Sequence, residues 1–308
     1  MAALQPVWES LCEREQTTVF QDFHWSFLAF TMFAGREEPW IVCAQASYGL
    51  AIVPAVMRHR DASVRLLGEE LFDYRCFLHH GDEAVLASAL GELAALARSL
   101  EVVALRSHDR KAVLDRLTLL PFSAAPQVRR ADVSAEEFSA NHGRLGRNLR
   151  RLQRLGFEMK THCGDSPRLL RIIYERKAAQ DPRSLFHDPL RVEFMIRAAQ
   201  LHPSAFEVFT LERGPQVGAA LVTLRDGDIR RFYTGWFDPA LEKFSPAITL
   251  IYEITRQSLA SGLDCDYMTG EQAYKMRLAT ASVPLYRLQA TPQQLAALGA
   301  CSSALLAG

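Results

Sequence analysis

The densest chemistry in the sequence lies in the twelve residues from Asp264 to Lys275, read as Asp-Cys-Asp-Tyr-Met-Thr-Gly-Glu-Gln-Ala-Tyr-Lys. Asp266 and Glu271 are carboxylates that can accept a proton, Tyr274 is a phenol that can donate one, and Lys275 is a cation for a developing negative charge. Lysine is scarce here: Lys111, Lys160, Lys177, Lys243 and Lys275 stand against thirty arginines. A lysine kept among so many arginines suits a task that its compact ammonium does and a guanidinium does not. The competing reading is a solvated loop, with the lysine stem lying on apolar surface and its head in water.

A second candidate is the strand Arg230 to Phe237, in which Tyr233 and Trp236 flank Gly235. A glycine in such a strand marks a bulge or a close approach of a ligand; room for a neighbouring aromatic ring is the alternative. The following segment ends in Ser245-Pro246-Ala247, with Ser245 placed as an N-cap and Pro246 in the first helical turn. A helix start directly after a strand offers N–H groups and a favourable dipole to a phosphate, as every helix start does. Third, Gly143 to Leu155 carries Arg144, Arg147, Arg150, Arg151 and Arg154 with no acid among them. Arg144, Arg147, Arg151 and Arg154 line one helical face, with Leu145, Leu149 and Leu152 on another. Five such charges repel, so either an anionic partner or acids from elsewhere in the fold must face them. No aromatic residue interleaves, which disfavours base stacking.

These groups need elements to hold them. Three strands, Phe206 to Leu211, Gln216 to Leu224 and Ile229 to Phe237, are joined by the turns Arg213-Gly214 and Asp226-Gly227. A helix from Ala247 to Ser261, a strand from Cys265 to Met268, a short helix near 273–279 and a strand from Leu285 to Gln289 follow. Upstream, the capping box Ser134-x-x-Glu137 starts a helix running to about Leu155, Phe157 to His162 is a strand, and helices span Ser166 to Gln180 and Asp188 to Leu201. The first part reads as helices at Val7 to Gln16 and His24 to Phe33, then a hairpin turning at Tyr48-Gly49. Asp82 caps a helix to Leu100, Glu101 to Arg106 is a strand, and Lys111 to Leu120 is a helix. Pro121 to Pro126 reads as a proline-bracketed boundary, dividing the chain into domains 1–126 and 127–308. Pro292 to Ala307 is a docked or frayed tail. The class is α+β.

The bulk properties exclude several functions. The 308 residues carry 35 Lys+Arg and 35 Asp+Glu, and 49% are hydrophobic, so the chain folds rather than staying disordered. Zero formal charge gives no global field for nucleic acid or an anionic membrane; such binding needs a local patch. The six cysteines (Cys12, Cys43, Cys76, Cys163, Cys265, Cys301) have no paired spacing and read as reduced thiols, with no metal site. The start has no signal-peptide order, and the apolar run Trp25 to Gly35 is too short to span a membrane, so a cytoplasmic location is expected. The phosphate-loop, dinucleotide-binding, serine-elbow and zinc-protease motifs are all absent from the sequence.

The order of elements from Phe206 onward, with the Tyr233 strand, Asp238-Pro239, Ser245-Pro246, Gly262, the Asp266 strand, Gly270 and Tyr274-Lys275, resembles the GNAT acyltransferase fold. With the Arg147 to Arg151 pattern and the aromatic stretch Phe20 to Trp25, it is more closely similar to the cellulose-biosynthesis (CelD/BcsL-type) acetyltransferase-like family, related to the Fem-type aminoacyl transferases. The resemblance implies two tandem GNAT-like domains, each a mixed, mainly antiparallel sheet flanked by helices, the second better preserved. It implies that the strand at 229–237 and the one at 265–268 splay apart around the pantetheine arm of an acyl-CoA, acetyl-CoA foremost. Gly235, Trp236, Ser245, Pro246 and Ala247 then contact the donor, and Arg147, Arg151 and Tyr252 the acceptor. Lys275 stabilises charge, Tyr274 or Tyr233 reprotonates the thiolate, and Glu271 or Asp266 acts as base through a water. One departure is visible: the family commonly has Ser-Pro-Gly where this chain has Ser245-Pro246-Ala247, and no glycine falls between Asp238 and Ala247.

The expected activity is N-acyl transfer from a thioester to an amine of a small molecule or sugar precursor. Two alternatives stand beside it. One is an aminoacyl-tRNA-dependent, Fem-like transferase, with tRNA or a carrier protein on the Arg144 to Arg154 face. The other is a non-catalytic binding module in a polysaccharide or natural-product pathway.

Overall fold

The computed structural model describes residues 1–15, 17–68, 70–107, 111–163 and 166–306. Two compact units divide the chain, Met1–Ser123 with Pro284–Gly308, and Ala124–Val283. Each is a mixed α+β unit with a mainly antiparallel sheet flanked by helices.

In the first unit, α1 (Gln5–Arg14) and α2 (Phe23–Met32) precede a long hairpin, β1 (Glu37–Ala46) and β2 (Gly49–Arg58). The Asp22 carboxylate caps α2 by accepting from the His24 and Trp25 N–H groups. Ala46 pairs with Gly49, so Ser47-Tyr48 makes the turn and Gly49 already belongs to the strand. β3 (Val64–Leu66) and β4 (Leu78–Gly81) pair with β2, α3 (Glu83–Glu92) follows its predicted cap Asp82, and β5 (Leu100–Arg106) pairs with the returning β12 (Ala281–Ala290). The tail is a docked helix, α10 (Pro292–Leu306), whose Leu295 and Leu298 are buried in the same core as Leu86 and Leu90 of α3. Gly91 and Gly299 let these helices touch: a Cβ on Gly91 would stand 2.6 Å from the Gly299 Cα.

Several expectations change. The helix expected at 111–120 is a 3-10 turn, Ala112–Arg116, followed by β6 (Thr118–Val128). The proline-bracketed stretch 121–126 is therefore strand, not linker; a proline removes only its own N–H, so a strand keeps it where that group needs no ladder partner. The helix expected from Ser134 to Leu155 is two, α4 (Ala135–Asn141) and α5 (Gly143–Arg154), broken at His142, with helix-weak Gly143 opening the second. The second unit closes at Val283 rather than Gly308, because Leu285–Ala290 and α10 pack within the first.

The second unit continues with β7 (Glu158–Cys163), α6 (Pro167–Gln180), α7 (Pro189–Leu201), β8 (Phe206–Arg213), β9 (Gln216–Asp226), β10 (Ile229–Phe237), α8 (Pro246–Ala260), β11 (Asp264–Asp266) and α9 (Ala273–Leu278). Its sheet runs β6-β11-β10-β9-β8-β7, antiparallel except for β10 beside β11. The apolar stripe of α8 (Leu250, Ile251, Ile254) packs with Phe209, Leu221 and Phe232 of the sheet, while Leu152 of α5 joins from outside.

The glycine contact in the first unit makes a test. Gly91→Val is expected to lower stability by about 1–3 kcal/mol through overpacking against the α10 backbone, read as a lower urea midpoint; an unchanged midpoint would show that the helices separate at no cost.

Candidate active site

Among the described residues, the one parallel strand pairing of the second unit is short. Ile229, Arg230 and Arg231 of β10 lie beside Asp264, Cys265 and Asp266 of β11, and there the pairing ends. Beyond it β10 stays with β9, from Thr234 opposite Val222 to Phe237 opposite Ala219, after a bulge at Tyr233. The chain beyond β11 instead follows β6: the Tyr267 N–H donates to the Pro126 carbonyl and the Gly270 N–H to the Ala124 carbonyl, both at 2.9 Å. Each strand thus leaves the other for its outer neighbour, and the bulge adds twist to the parting. Among the described residues, Thr234 to Phe237 has no strand partner on the β11 side.

Asp266 sits at the fork. One carboxylate oxygen pairs with Arg231 of β10 at 2.5 Å; the other accepts from the Met268 N–H at 2.8 Å. Arg231 is held in turn by Asp226 at 2.7 Å, and both Arg231 and Asp266 are almost wholly buried. The Asp266–Met268 bond closes a local turn in which Met268 takes the left-handed conformation, φ +64°. The carboxylate expected to serve as a base is thus committed to a buried ion pair and a turn, and the strand expected to reach Met268 ends at Asp266.

Lys275 is buried on α9, and its Nζ donates to the carbonyls of Thr269 (2.8 Å) and Met268 (3.4 Å). The ammonium therefore lies against the turn that opens the fork, not in bulk water. Tyr274 is partly buried against the core, and burial pushes its pKa up, so its phenol stays protonated through neutral pH. Glu271 is exposed on the loop before α9, and Tyr233 is half-buried at the β10 bulge.

A Cβ on Gly235 would meet nothing closer than the Ala220 carbonyl at 3.4 Å, so crowding by a neighbouring ring is not what keeps a glycine there. The Trp236 ring is covered by the Arg176 guanidinium, 4.6 Å from its centroid. At the start of α8, Pro246 is buried and Ala247 half-buried. Ser245 stands in the cap position, but its side chain makes no capping bond and its backbone is left-handed, φ +47°. The Phe244 carbonyl before it accepts from Asn148 of α5 and Thr249 of α8, both at 3.0 Å, which fixes this corner.

The five arginines of α5 are all exposed, and Leu145, Leu149 and Leu152 face the core as the spacing requires. Arg147 and Tyr252 line one recess of about 530 Å³ between α4, α5 and α8; Arg151 lies outside it. Sequence reasoning did not single out Arg231, Asp226 or Asn148. A charged residue inside a strand otherwise patterned for burial was the signal available for Arg231, whereas the partner of Asn148 is a backbone carbonyl 96 positions away and left no trace.

Four described cysteines, Cys12, Cys43, Cys76 and Cys265, are free thiols; the side chains of Cys163 and Cys301 lie outside the described ones. Among the described residues no cluster of three His, Cys, Asp or Glu could hold a metal, and no helix is long and apolar enough to cross a membrane.

Residues 139–276, which include the fork, match the family model described as Acetyltransferase (GNAT) domain. The fold is similar to that of FemX (10% identity, 91% of this chain and 94% of that one, TM-score 0.57). It is likewise similar to L-PGS from Bacillus licheniformis (10% identity, 96% and 95%, TM-score 0.59). A third similar structure is the C-terminal domain (DUF2156) of an Agrobacterium fabrum protein assigned as a lysylphosphatidylglycerol synthetase (10% identity, 89% and 95%, TM-score 0.60). No curated protein matches the chain by sequence.

The fork itself is testable by unfolding. Asp266→Ala, which leaves Arg231 buried with one partner fewer, is expected to cost about 3–5 kcal/mol, and Arg231→Met/Asp266→Leu together to recover most of it. A double variant no more stable than the single one would show that the cost does not come from leaving Arg231 uncompensated.

Proposed function

We propose that the chain is an N-acyltransferase that moves an acyl group from a thioester donor, an acyl-CoA, to an amine of a small molecule or sugar precursor. The observation that carries this reading is the parting of β10 and β11 after three paired residues, which leaves a strand edge at Thr234 to Phe237 beside Gly235. An extended pantetheine arm has amides that a free strand edge can bond, and the missing Cβ at Gly235 admits it close to the backbone. The acetyltransferase family match over residues 139–276 supports the same class. Acetyl-CoA is the first donor to try, and the expected location is the cytoplasm.

In this reading the amine nitrogen attacks the thioester carbonyl carbon; the C–N bond forms and the C–S bond breaks. The proton lost by the amine passes through water to Glu271, and the departing thiolate takes one from Tyr274, with Tyr233 the alternative donor. Lys275 supplies positive charge beside the developing oxyanion and holds the turn at Thr269. Asp266 keeps the fork through its bonds to Arg231 and the Met268 N–H. Trp236, Ser245, Pro246 and Ala247 border the donor's path, and Arg147, Arg151 and Tyr252 stand on the acceptor side.

A second reading, aminoacyl transfer from tRNA, is favoured by two observations: the five exposed arginines of α5 and the fold shared with FemX and L-PGS. It predicts tRNA affinity that falls steeply with added salt.

Calorimetric titration with several acyl-CoA species, followed by transfer assays on amine panels, tests the first reading. Gly235→Val is expected to abolish acyl-CoA binding while leaving the fold intact. Tyr274→Phe and Lys275→Met are expected to lower kcat by about a hundredfold. Absence of binding by any acyl-CoA would remove it, full activity of Lys275→Met would remove the role given to Lys275, and intact function in cells of Lys275→Ala would fit the non-catalytic binding module.

A further inference from the structure

We propose that the recess between α4, α5 and α8 binds the phosphoryl group of a small phosphorylated acceptor. The proposal rests on the transferase reading above and names its acceptor class. At about 530 Å³ the recess has the scale of a small-molecule pocket. Two helices deliver its cations: Arg147 and Arg150 from α5, Arg256 from α8. The Arg147 and Arg150 guanidinium groups fold back along their helix, Nη1 of each lying 3.7 Å from where a Cβ would stand on Gly143 and on Gly146. Glycine inside a helix costs stability, about 1 kcal/mol relative to alanine. Here the two glycines keep the wall low beneath the guanidinium groups. Gly146 has a second reason, since its Cβ would come within 3.2 Å of the Tyr252 hydroxyl.

Arg256 is held in plane by Glu253, which accepts from its Nη2 at 2.7 Å and its Nε at 3.0 Å. Among the described residues, Arg147 and Arg150 have no such carboxylate partner. The hydroxyls of Ser139 and Tyr252 bond each other at 2.8 Å, which leaves one O–H to donate at the same wall, and Glu136 is the carboxylate that lines it. Guanidinium groups from two directions with neighbouring hydroxyls match the several acceptor oxygens of a phosphate monoester, which arginine binds in bidentate fashion. A small ligand fits better than a polyanion: Arg144, Arg151 and Arg154 lie outside the recess, and α5 exposes no ring for a base to stack on. The recess also adjoins the fork's own corner. Asn148, next to Arg147, fixes the Phe244 carbonyl before α8, and Tyr252 lies about 9 Å along α8 from its first residue.

The test is calorimetric titration of the full chain with pyrophosphate, with O-phosphoethanolamine as a minimal phosphorylated amine, and with ethanolamine. Both phosphorylated probes are expected to bind and ethanolamine not to. Arg147→Ala/Arg150→Ala is expected to weaken them about tenfold or more, and Arg168→Ala, an exposed arginine on α6, to leave them unchanged. Equal loss in Arg168→Ala, no saturation by either probe, or tighter binding of an RNA duplex that pyrophosphate does not displace would each overturn the recess as a small-phosphate site. Acyl-CoA titration of the same variants separates the two proposals. If the double variant weakens acyl-CoA as much as the probes, the recess belongs to the donor and the acceptor assignment falls. If wild type binds the probes but no acyl-CoA, the recess stands and the transferase reading fails.

Discussion

The buried ion pair between Arg231 and Asp266 is the constraint on which the second unit's geometry depends. Two strands that begin in register must separate, and a sheet gives no reason to separate while ladder bonds remain available. Asp266 supplies one. Its oxygen toward Arg231 ties the last paired position, and its other oxygen takes the Met268 N–H out of the ladder and turns the chain toward β6. Burying two charges is expensive, and an apolar pair of the same size would hold the strands together as well. What an apolar pair would not do is accept the Met268 N–H, so the carboxylate explains the turn as well as the contact.

Lys275 completes the same turn from the opposite side. Its ammonium donates to the carbonyls of Met268 and Thr269, just past the point where the chain has left β10. These two bonds give the buried ammonium acceptors in place of water. The lysine therefore has a structural function whatever its chemical one, and the loss of a single assay signal in a Lys275 variant has meaning only beside a measurement of folding.

Much of this arrangement was legible in the sequence, and the reasons differ by element. The three strands of 206–237 announced themselves by tight turns at Gly214 and Gly227, both with positive φ, and by apolar runs between them. The amphipathic α5 was legible because its leucines and arginines segregate at helical spacing. Two features were hidden. The strand at 118–128 was masked by its own prolines, because sequence alone does not say which N–H groups a sheet will need. The role of Asp266 was hidden because a carboxylate beside other titratable groups reads as chemistry until its partner, 35 positions earlier, is known. Residue type located the site; pairing decided what each residue does there.

The two left-handed residues that flank the fork, Ser245 and Met268, are not glycines, although each occupies backbone space that costs a side chain about 1 kcal/mol or more. At Met268 the cost is offset by the bond from its N–H to Asp266. At Ser245 the side chain makes no capping bond, and the neighbouring Phe244 carbonyl is fixed instead by Asn148 and Thr249. The corner before α8 is therefore held by α5 and α8 as well as by its own loop. This ties the arginine-bearing helix, through Asn148, to the start of the helix that follows β10.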